Sequence, residues 1–259
     1  MNRKCTLLVL ILVLGLASCG DKNNDSVDSD EKVVLKIAAA ANMQIAMDSI
    51  ASVFLVHSGI ECSVTTNSSG MLTAQIQNGA PYDVFVSANM RYPNELVKTG
   101  FGDSVQIYAL GKLALIYKKG KSYNSAEEVL MDPANKRIAL ADKKTAPYGI
   151  AAKQYLKKSG IRSKIEEKIV IGESVGQVNQ YIQTGAVDVA FTSYSFVRKF
   201  SKEHQFMEID KKYYTEIKQG AILLKSGKEN HPKEAEQFFD FLFSDDCQKI
   251  LEYFGYTVI

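Results

Sequence analysis

The chain has 259 residues, of which 46% are hydrophobic and 23% charged, proportions typical of a soluble globular protein with a sizeable core. Its formal net charge is +2, and the two excess positive charges, Arg3 and Lys4, lie in the N-terminal segment. The rest of the chain therefore has balanced charge. This balance argues against nucleic acid as a partner, because such proteins present a strongly basic surface.

The N-terminal segment has the features of a secretory signal peptide. Two basic residues precede the apolar run 6–17, which is too short to span a bilayer core of about 30 Å comfortably. The run ends in Leu-Ala-Ser-Cys, which resembles the bacterial lipobox, although an ordinary cleavage site is the alternative. We expect residues 1–18 to be removed, Cys19 to carry lipid at the membrane, and the polar segment 19–32 to be a flexible tether. The folded part is thus predicted to be exported.

Two further cysteines, Cys62 and Cys247, belong to the folded part. An oxidising compartment permits a disulfide between them. However, Cys62 falls on a predicted strand and Cys247 on a predicted helix. Two buried thiols are therefore the favoured interpretation.

From residue 33 onward, short apolar segments alternate with longer segments whose apolar residues recur every three or four positions. Strands are predicted at 33–38, 60–65, 82–86, 113–117, 137–140, 165–170, 186–192 and 221–224. Helices are predicted at 43–57, 71–77, 90–99, 126–130, 149–158, 175–184 and 232–254, the last with a break near Asp245. Strands that alternate with helices predict an α/β fold with right-handed crossovers.

The alternation falls into two halves joined by two crossings of the chain. This arrangement predicts two lobes with a ligand cleft between them. The first lobe is expected to comprise 33–110 and 222–259, and the second 111–221.

Four strand-to-helix junctions consist mainly of small or hydroxylated residues, at 39–42, 67–70, 145–149 and 172–175. The start of a helix has unpaired N–H groups and partial positive charge, and both favour an anion. Small residues let a ligand approach the backbone, and Ser or Asn adds a neutral donor. Each junction taken alone is also explained as an ordinary helix N-cap. Together, the four junctions predict an oxyanion site in the cleft.

Four segments resemble the periplasmic molybdate-binding proteins (the ModA family) of ABC transporters. They are 38–54, 67–89, 146–156 and 173–193, and the second is the most specific because it contains Gln-Ile-x-x-Gly-Ala-Pro-x-Asp-Val-Phe. The resemblance implies a type II periplasmic-binding-protein fold whose cleft holds molybdate or tungstate through hydroxyl and main-chain N–H groups. It also implies an ABC permease as partner, no cofactor other than the ligand, and a monomer.

The resemblance assigns binding roles to individual positions. Asn42 stands where the family usually has a serine donor, and its amide is expected to replace the hydroxyl. Ser69 matches the family's second hydroxyl donor, with Ser68 beside it. Tyr148 and Val175 stand at positions that donate main-chain N–H groups. The molybdenum centre is therefore expected to be held through these residues of the oxyanion site.

One position departs from the family in a way that removes a donor. Phe191 stands where the best-known members have a tyrosine hydroxyl, and a phenylalanine cannot donate. Thr192, Ser193 or the hydroxyl of Tyr148 are candidates to supply the missing hydrogen bond.

The charges near the junctions bear on which anion fits. A protonated phosphate needs an acceptor in its site, whereas molybdate, tungstate and sulfate are fully ionised near neutral pH and need only donors. Glu173 is the one carboxylate within the junctions and is expected to face solvent. The sequence therefore favours a fully ionised anion.

Other functions remain as alternatives. An enzyme is disfavoured because the three histidines (His57, His204 and His231) fall in polar settings and the familiar catalytic motifs are absent from the sequence. A binding protein of the same fold for sulfate, phosphate, an amino acid or an iron chelate is the nearer alternative. A purely sensory role for the same module is a further one.

Overall fold

The structure is a computed structural model, and it describes residues 32–259. The expected signal peptide, the expected lipid site at Cys19 and the tether up to residue 31 lie outside these residues. Within residues 32–259, none of the helices combines the length and apolar character needed to cross a membrane.

Strands and helices alternate along the described chain, which confirms the predicted α/β class. The strands are β1 (Val34–Ala40), β2 (Glu61–Asn67), β3 (Val84–Val86), β4 (Gln106–Gly111), β5 (Leu113–Lys118), β6 (Ile138–Ala141), β7 (Ile169–Gly172), β8 (Val189–Ser193), β9 (His204–Glu208) and β10 (Ile217–Leu223). The helices are α1 (Gln44–Ser58), α2 (Ser69–Gln77), α3 (Arg91–Lys98), α4 (Ala126–Met131), α5 (Pro147–Lys158), α6 (Val175–Gln183), α7 (Tyr194–Phe200), α8 (Lys225–Asn230), α9 (Pro232–Phe241) and α10 (Asp245–Tyr253).

The strands form two five-stranded mixed sheets, each the centre of one lobe. The first sheet has the order β2-β1-β3-β10-β4, and the second has the order β7-β6-β8-β5-β9. The chain passes from the first sheet to the second between Gly111 and Leu113 and returns between Glu208 and Ile217. Strand β10 thus joins the first sheet five residues before the expected boundary at residue 222, because it pairs with β4 from Ile217 onward. The division into lobes at the residues given above otherwise stays a prediction.

The register of the parallel strands brings the predicted junctions to common edges. In the first sheet Ala40 of β1 lies beside Asn67 of β2, so the two strands end at the same level. In the second sheet Ala141 of β6 lies beside Gly172 of β7. Because carboxyl ends of parallel strands line the crevice of an α/β sheet, this register places all four junctions at the cleft.

Helix α1 illustrates how the sequence determines a helix and its packing. Its buried residues, Ala46, Met47, Ile50 and Phe54, lie on one face and pack on the first sheet. Burial of each large side chain contributes about 1.5–3 kcal/mol of transfer free energy. Gly59, with φ of 74°, ends the helix by donating its N–H to the carbonyl of Leu55 at 2.9 Å.

Several elements differ from the expectations. Strand β4, helices α7 and α8 and strand β9 were not predicted, and β4 overlaps the segment near residues 108–113 where the first crossing between the lobes was expected. Helix α7 follows β8 without a turn, so no turn residues mark its start. The residues of β9 are only half buried or exposed, so this strand has no apolar pattern in the sequence. The break near Asp245 is confirmed: Ser244 caps α10 by accepting the N–H of Cys247 at 3.3 Å.

Cys62 and Cys247 are free thiols, half buried and buried respectively. The pKa of each thiol is raised from 9.0 to about 12, mainly by burial. Both cysteines therefore keep their protons at neutral pH.

Candidate functional site

All four junctions contribute to one small cavity between the lobes. The empty space there is about 190 Å³ when open solvent at its mouth is included, but only about 10 Å³ admits the centre of a water-sized sphere, which is room for about one water molecule. Larger hollows of 650 to 1100 Å³, measured with open solvent included, also exist, but none of them is lined by residues of more than one junction. The lining residues of the small cavity are Ala40, Ala41, Asn42, Ser68, Ser69, Ala88, Ala146, Pro147, Tyr148 and Val175.

The start of α2 presents two hydroxyl groups, and the oxygen of each accepts one main-chain N–H. Ser69 is fully buried, and its Oγ accepts the main-chain N–H of Ala88 at 3.0 Å. Ser68 is the N-cap of α2, and its Oγ accepts the N–H of Met71 at 3.4 Å. Neither hydroxyl donates to an acceptor within residues 32–259, so each hydroxyl proton is available to a ligand.

The amides at this helix start are divided between the protein and the cavity. Ser68 N–H donates to the side chain of Asn67 at 2.7 Å, and Gly70 N–H donates to the carbonyl of Thr145 at 2.9 Å. With Met71 N–H capped by Ser68, the N–H of Ser69 is the one early amide of α2 with no acceptor in residues 32–259. A helix start with one free amide and two free hydroxyl protons is a site for an anion.

Helices α5 and α6 present main-chain donors in the same way. Pro147 is the first residue of α5 and has no N–H, so Tyr148 supplies its first free amide. In α6, Ser174 caps the N–H of Gln177 at 3.2 Å, which leaves the N–H of Val175 unpaired. Among the described residues, neither Tyr148 nor Val175 has an acceptor for its amide.

Asn42 lines the cavity, but its side-chain amide is used elsewhere. Its Nδ2 donates to Oε1 of Gln219 at 2.8 Å and to the hydroxyl of Tyr256 at 3.1 Å. Both N–H groups of the side chain are thus engaged, so the expectation that this amide replaces the family's serine donor does not match this geometry. The main-chain N–H of Asn42 has no acceptor in the described chain and is the remaining donor at this position.

Phe191 and Thr192 lie outside the cavity lining. Phe191 is buried in the core of the second lobe, where its ring packs 5.6 Å from that of Tyr155. The hydroxyl of Thr192 donates to Oδ1 of Asn179 at 2.5 Å. Ser193, another candidate replacement donor, is the N-cap of α7. The hydroxyl of Tyr148 is buried without a hydrogen-bond partner in residues 32–259, so it is the one proposed substitute with a free proton.

The cavity is electrically neutral and contains no carboxylate. Every lining residue is apolar, Ser, Asn or Tyr, and Glu173 is exposed as expected. Burial raises the pKa of Tyr148 well above its ordinary value, although the nearby amide of Asn42 lowers it in part without forming a hydrogen bond of good geometry. The tyrosine therefore stays neutral near pH 7, and the cavity offers donors at all physiological pH values.

Two small residues that shape this site, Ala88 and Gly176, lie outside the predicted junctions. Ala88 follows β3 and holds the hydroxyl of Ser69 in place. Ala41 and Gly176 bring the lobes together, since a Cβ at Gly176 would lie 3.3 Å from that of Ala41. The only sequence signal was their small size, which ordinary loops share.

The sequence and the fold were compared with known proteins. Residues 35–257 match the family described as bacterial extracellular solute-binding protein. A molybdate-binding protein ModA of Azotobacter vinelandii is 32% identical over 99% of both chains. A Bacillus subtilis protein, named as a proposed ABC transporter substrate-binding lipoprotein, is 32% identical over 97% of this chain and 95% of its own.

A solved structure agrees with these sequence matches. The Azotobacter vinelandii periplasmic molybdate-binding protein superposes with a TM-score of 0.82 at 31% identity, covering 87% of this chain and 99% of its own. The resemblance inferred from the four segments is confirmed, as is the two-lobed fold. The relatives are solute-binding proteins rather than enzymes.

Proposed function

We propose that this chain, which belongs to the bacterial extracellular solute-binding proteins, captures molybdate or tungstate and delivers it to an ABC importer. The observation that carries this proposal is the neutral cavity at which four helix starts present unpaired donors. The molybdate-binding relatives support the choice of ligand.

The proposed binding groups are distributed over both lobes. The hydroxyls of Ser68 and Ser69 donate from the first lobe, together with the main-chain N–H of Asn42. The main-chain N–H groups of Tyr148 and Val175 donate from the second. Phe191 and Thr192 have no role in this scheme, because both lie outside the cavity lining.

Neutral donors suit a dianion that carries no proton. Hydrogen bonds to a charged group contribute about 1.5–3 kcal/mol each, and they are strongest where water is excluded. A monoprotonated phosphate would place its O–H against donors alone and leave that proton unpaired, which disfavours it by about 1–3 kcal/mol. Sulfate meets the same electrostatic requirement as molybdate, so it is the second candidate, and cavity size decides between them.

In the proposed cycle the two lobes close on the anion by hinge bending and the closed form docks on the permease. The protein acts as a monomer in the extracytoplasmic space. We further propose that Cys19 carries a lipid that anchors it to the membrane, with residues 19–32 as tether.

Titration calorimetry with molybdate, tungstate, sulfate and phosphate at equal ionic strength tests the ligand. We expect molybdate and tungstate to bind more tightly than sulfate and phosphate. Tighter binding of sulfate would overturn the choice of ligand while leaving the anion site intact. Binding of none of the four would overturn the oxyanion function.

The anchor is tested separately by metabolic labelling of the full-length chain with a radioactive fatty acid. Label in the wild type and its loss in Cys19→Ser support the anchor, with Cys5→Ser as the matched control. An unlabelled wild type, or label retained in Cys19→Ser, would refute it.

A further inference from the structure

Two hydrogen bonds join the lobes at the mouth of the cleft. The hydroxyl of Tyr92, on α3 of the first lobe, donates to the carbonyl of Lys144 in the second lobe at 2.9 Å. Beside it, the N–H of Gly70 donates to the carbonyl of Thr145 at 2.9 Å. We call these four residues the clasp. Both bonds lie next to the cavity, since Ser69 precedes Gly70 and Ala146 follows Thr145.

Tyr92 is well placed to act in this way. Its side chain packs in the first-lobe core with only 4% of the residue exposed. Burial raises the pKa of Tyr92 above its ordinary value, so its hydroxyl keeps its proton and donates near neutral pH. The ring is thus held by the first lobe, and the hydroxyl alone reaches the second.

The acceptor loop is a fixed part of the second lobe. The carbonyl of Asp142 accepts the N–H groups of Thr145 and Ala146, and its carboxylate accepts the N–H of Lys144 at 2.9 Å. The loop is also tied to β7, because the N–H of Asp142 donates to the carbonyl of Gly172 at 2.7 Å. The bonds from Tyr92 and Gly70 therefore require approach of the lobes rather than movement of this loop.

Gly70 allows this approach because it has no side chain. A Cβ at this position would lie 2.9 Å from both the Cα of Thr145 and the hydroxyl of Tyr92. The first of these is a backbone atom that cannot turn aside. Closure of the cleft therefore brings main chain against main chain at this point.

We propose that the clasp holds the cleft closed and sets how long the anion stays bound, with Tyr92 as a positioning residue that does not touch the ligand. This proposal rests on the proposed function, because the retained solute is the oxyanion. The clasp bonds exist only in the closed form and stabilise it, so their loss speeds departure of a bound anion, whereas an anion enters through the open form, which lacks these bonds.

The first test is the rate of molybdate exchange in the full chain, measured by stopped-flow fluorescence of the tyrosines. Tyr92→Phe removes one hydroxyl and should raise the dissociation rate about threefold to tenfold, as expected for one hydrogen bond. The association rate should stay within twofold of the wild type. Tyr82→Phe is the matched control, because the hydroxyl of Tyr82 donates to Gln75 within the first lobe at 3.0 Å.

Hydrogen exchange supplies a second readout that needs no ligand. The N–H of Gly70 is protected only while it donates to Thr145, so its exchange reports the clasp directly. In the ligand-free chain, we expect a peptide covering residues 68–72 to exchange faster in Tyr92→Phe than in the wild type or Tyr82→Phe. If no oxyanion binds the wild type, the proposed function fails and this measurement still decides on the clasp.

Gly70→Ala is a second variant that opposes closure by steric conflict. Alanine has the higher helix propensity, so the thermal stability of the ligand-free chain should not fall. Dissociation should nevertheless be faster than in Tyr92→Phe. Dissociation and exchange rates of Tyr92→Phe equal to those of the wild type would overturn the proposal, whatever Gly70→Ala does.

Discussion

Replacement of Ser69 by alanine is the most direct test of the proposed anion site. The Oγ of Ser69 accepts the N–H of Ala88, and the residue is fully buried. The substitution therefore has two separate effects. It removes a hydroxyl donor from the cavity, and it leaves the N–H of Ala88 without its acceptor.

The two effects have different magnitudes and different observables. Loss of a hydrogen bond to a charged group costs about 1.5–3 kcal/mol, which weakens anion binding roughly 10- to 150-fold. The unpaired N–H of Ala88 costs about 1–3 kcal/mol in the free energy of unfolding, with or without ligand. Calorimetric titration with molybdate measures the first quantity, and urea denaturation of the ligand-free chain measures the second.

Ser87→Ala is the matched control for this experiment. Ser87 is also fully buried, and its Oγ accepts the N–H of Asn89 at 3.3 Å, but it does not line the cavity. We expect Ser87→Ala to lose stability and to bind molybdate as the wild type does. Equal affinity of Ser69→Ala and the wild type would refute the assignment of Ser69 as a donor.

Two further substitutions test other parts of the structure. Tyr148→Phe removes a buried hydroxyl that has no partner in residues 32–259. Titration with molybdate should therefore give an unchanged affinity, and thermal unfolding should give an unchanged or higher stability. A tenfold loss of affinity would instead show that this hydroxyl donates to the anion. Burial raises the pKa of Cys247 from 9.0 to about 12, so the unfolded chain loses this thiol proton first and the free energy of unfolding falls as the pH rises from 9 to 12. The free energy of unfolding, measured by urea denaturation at pH 8 and at pH 10, should fall by about 1.4 kcal/mol less in Cys247→Ala than in the wild type. Equal falls in the two proteins would contradict the raised pKa.

Much of the fold follows from local patterns in the sequence. The apolar spacing of α1 and the break before α10 are encoded in neighbouring residues, so both were predictable. Strand β9 was missed because none of its residues is fully buried, and an edge strand of that kind has no apolar alternation to read. Strand β4 was missed because its partner β10 lies more than a hundred residues further along the chain.

The candidate site was predictable only in part, and the direction of side chains explains the difference. Ser68, Ser69, Tyr148 and Val175 line the cavity because they begin helices whose starts point into the cleft. Asn42 also lines it, yet its amide turns toward Gln219 and Tyr256. Those two partners are distant in sequence, so no local pattern predicts their contact with Asn42.

The sequence by itself determined the fold class, the family and the four helix starts, because strand and helix periodicity and capping are local properties. Only the tertiary structure decided which donors are free. Whether an amide or hydroxyl is available depends on its other partners, such as Ala88 for Ser69 or Thr145 for Gly70. Those partners are brought together by sheet register and by closure of the lobes, which arise from packing over the whole chain.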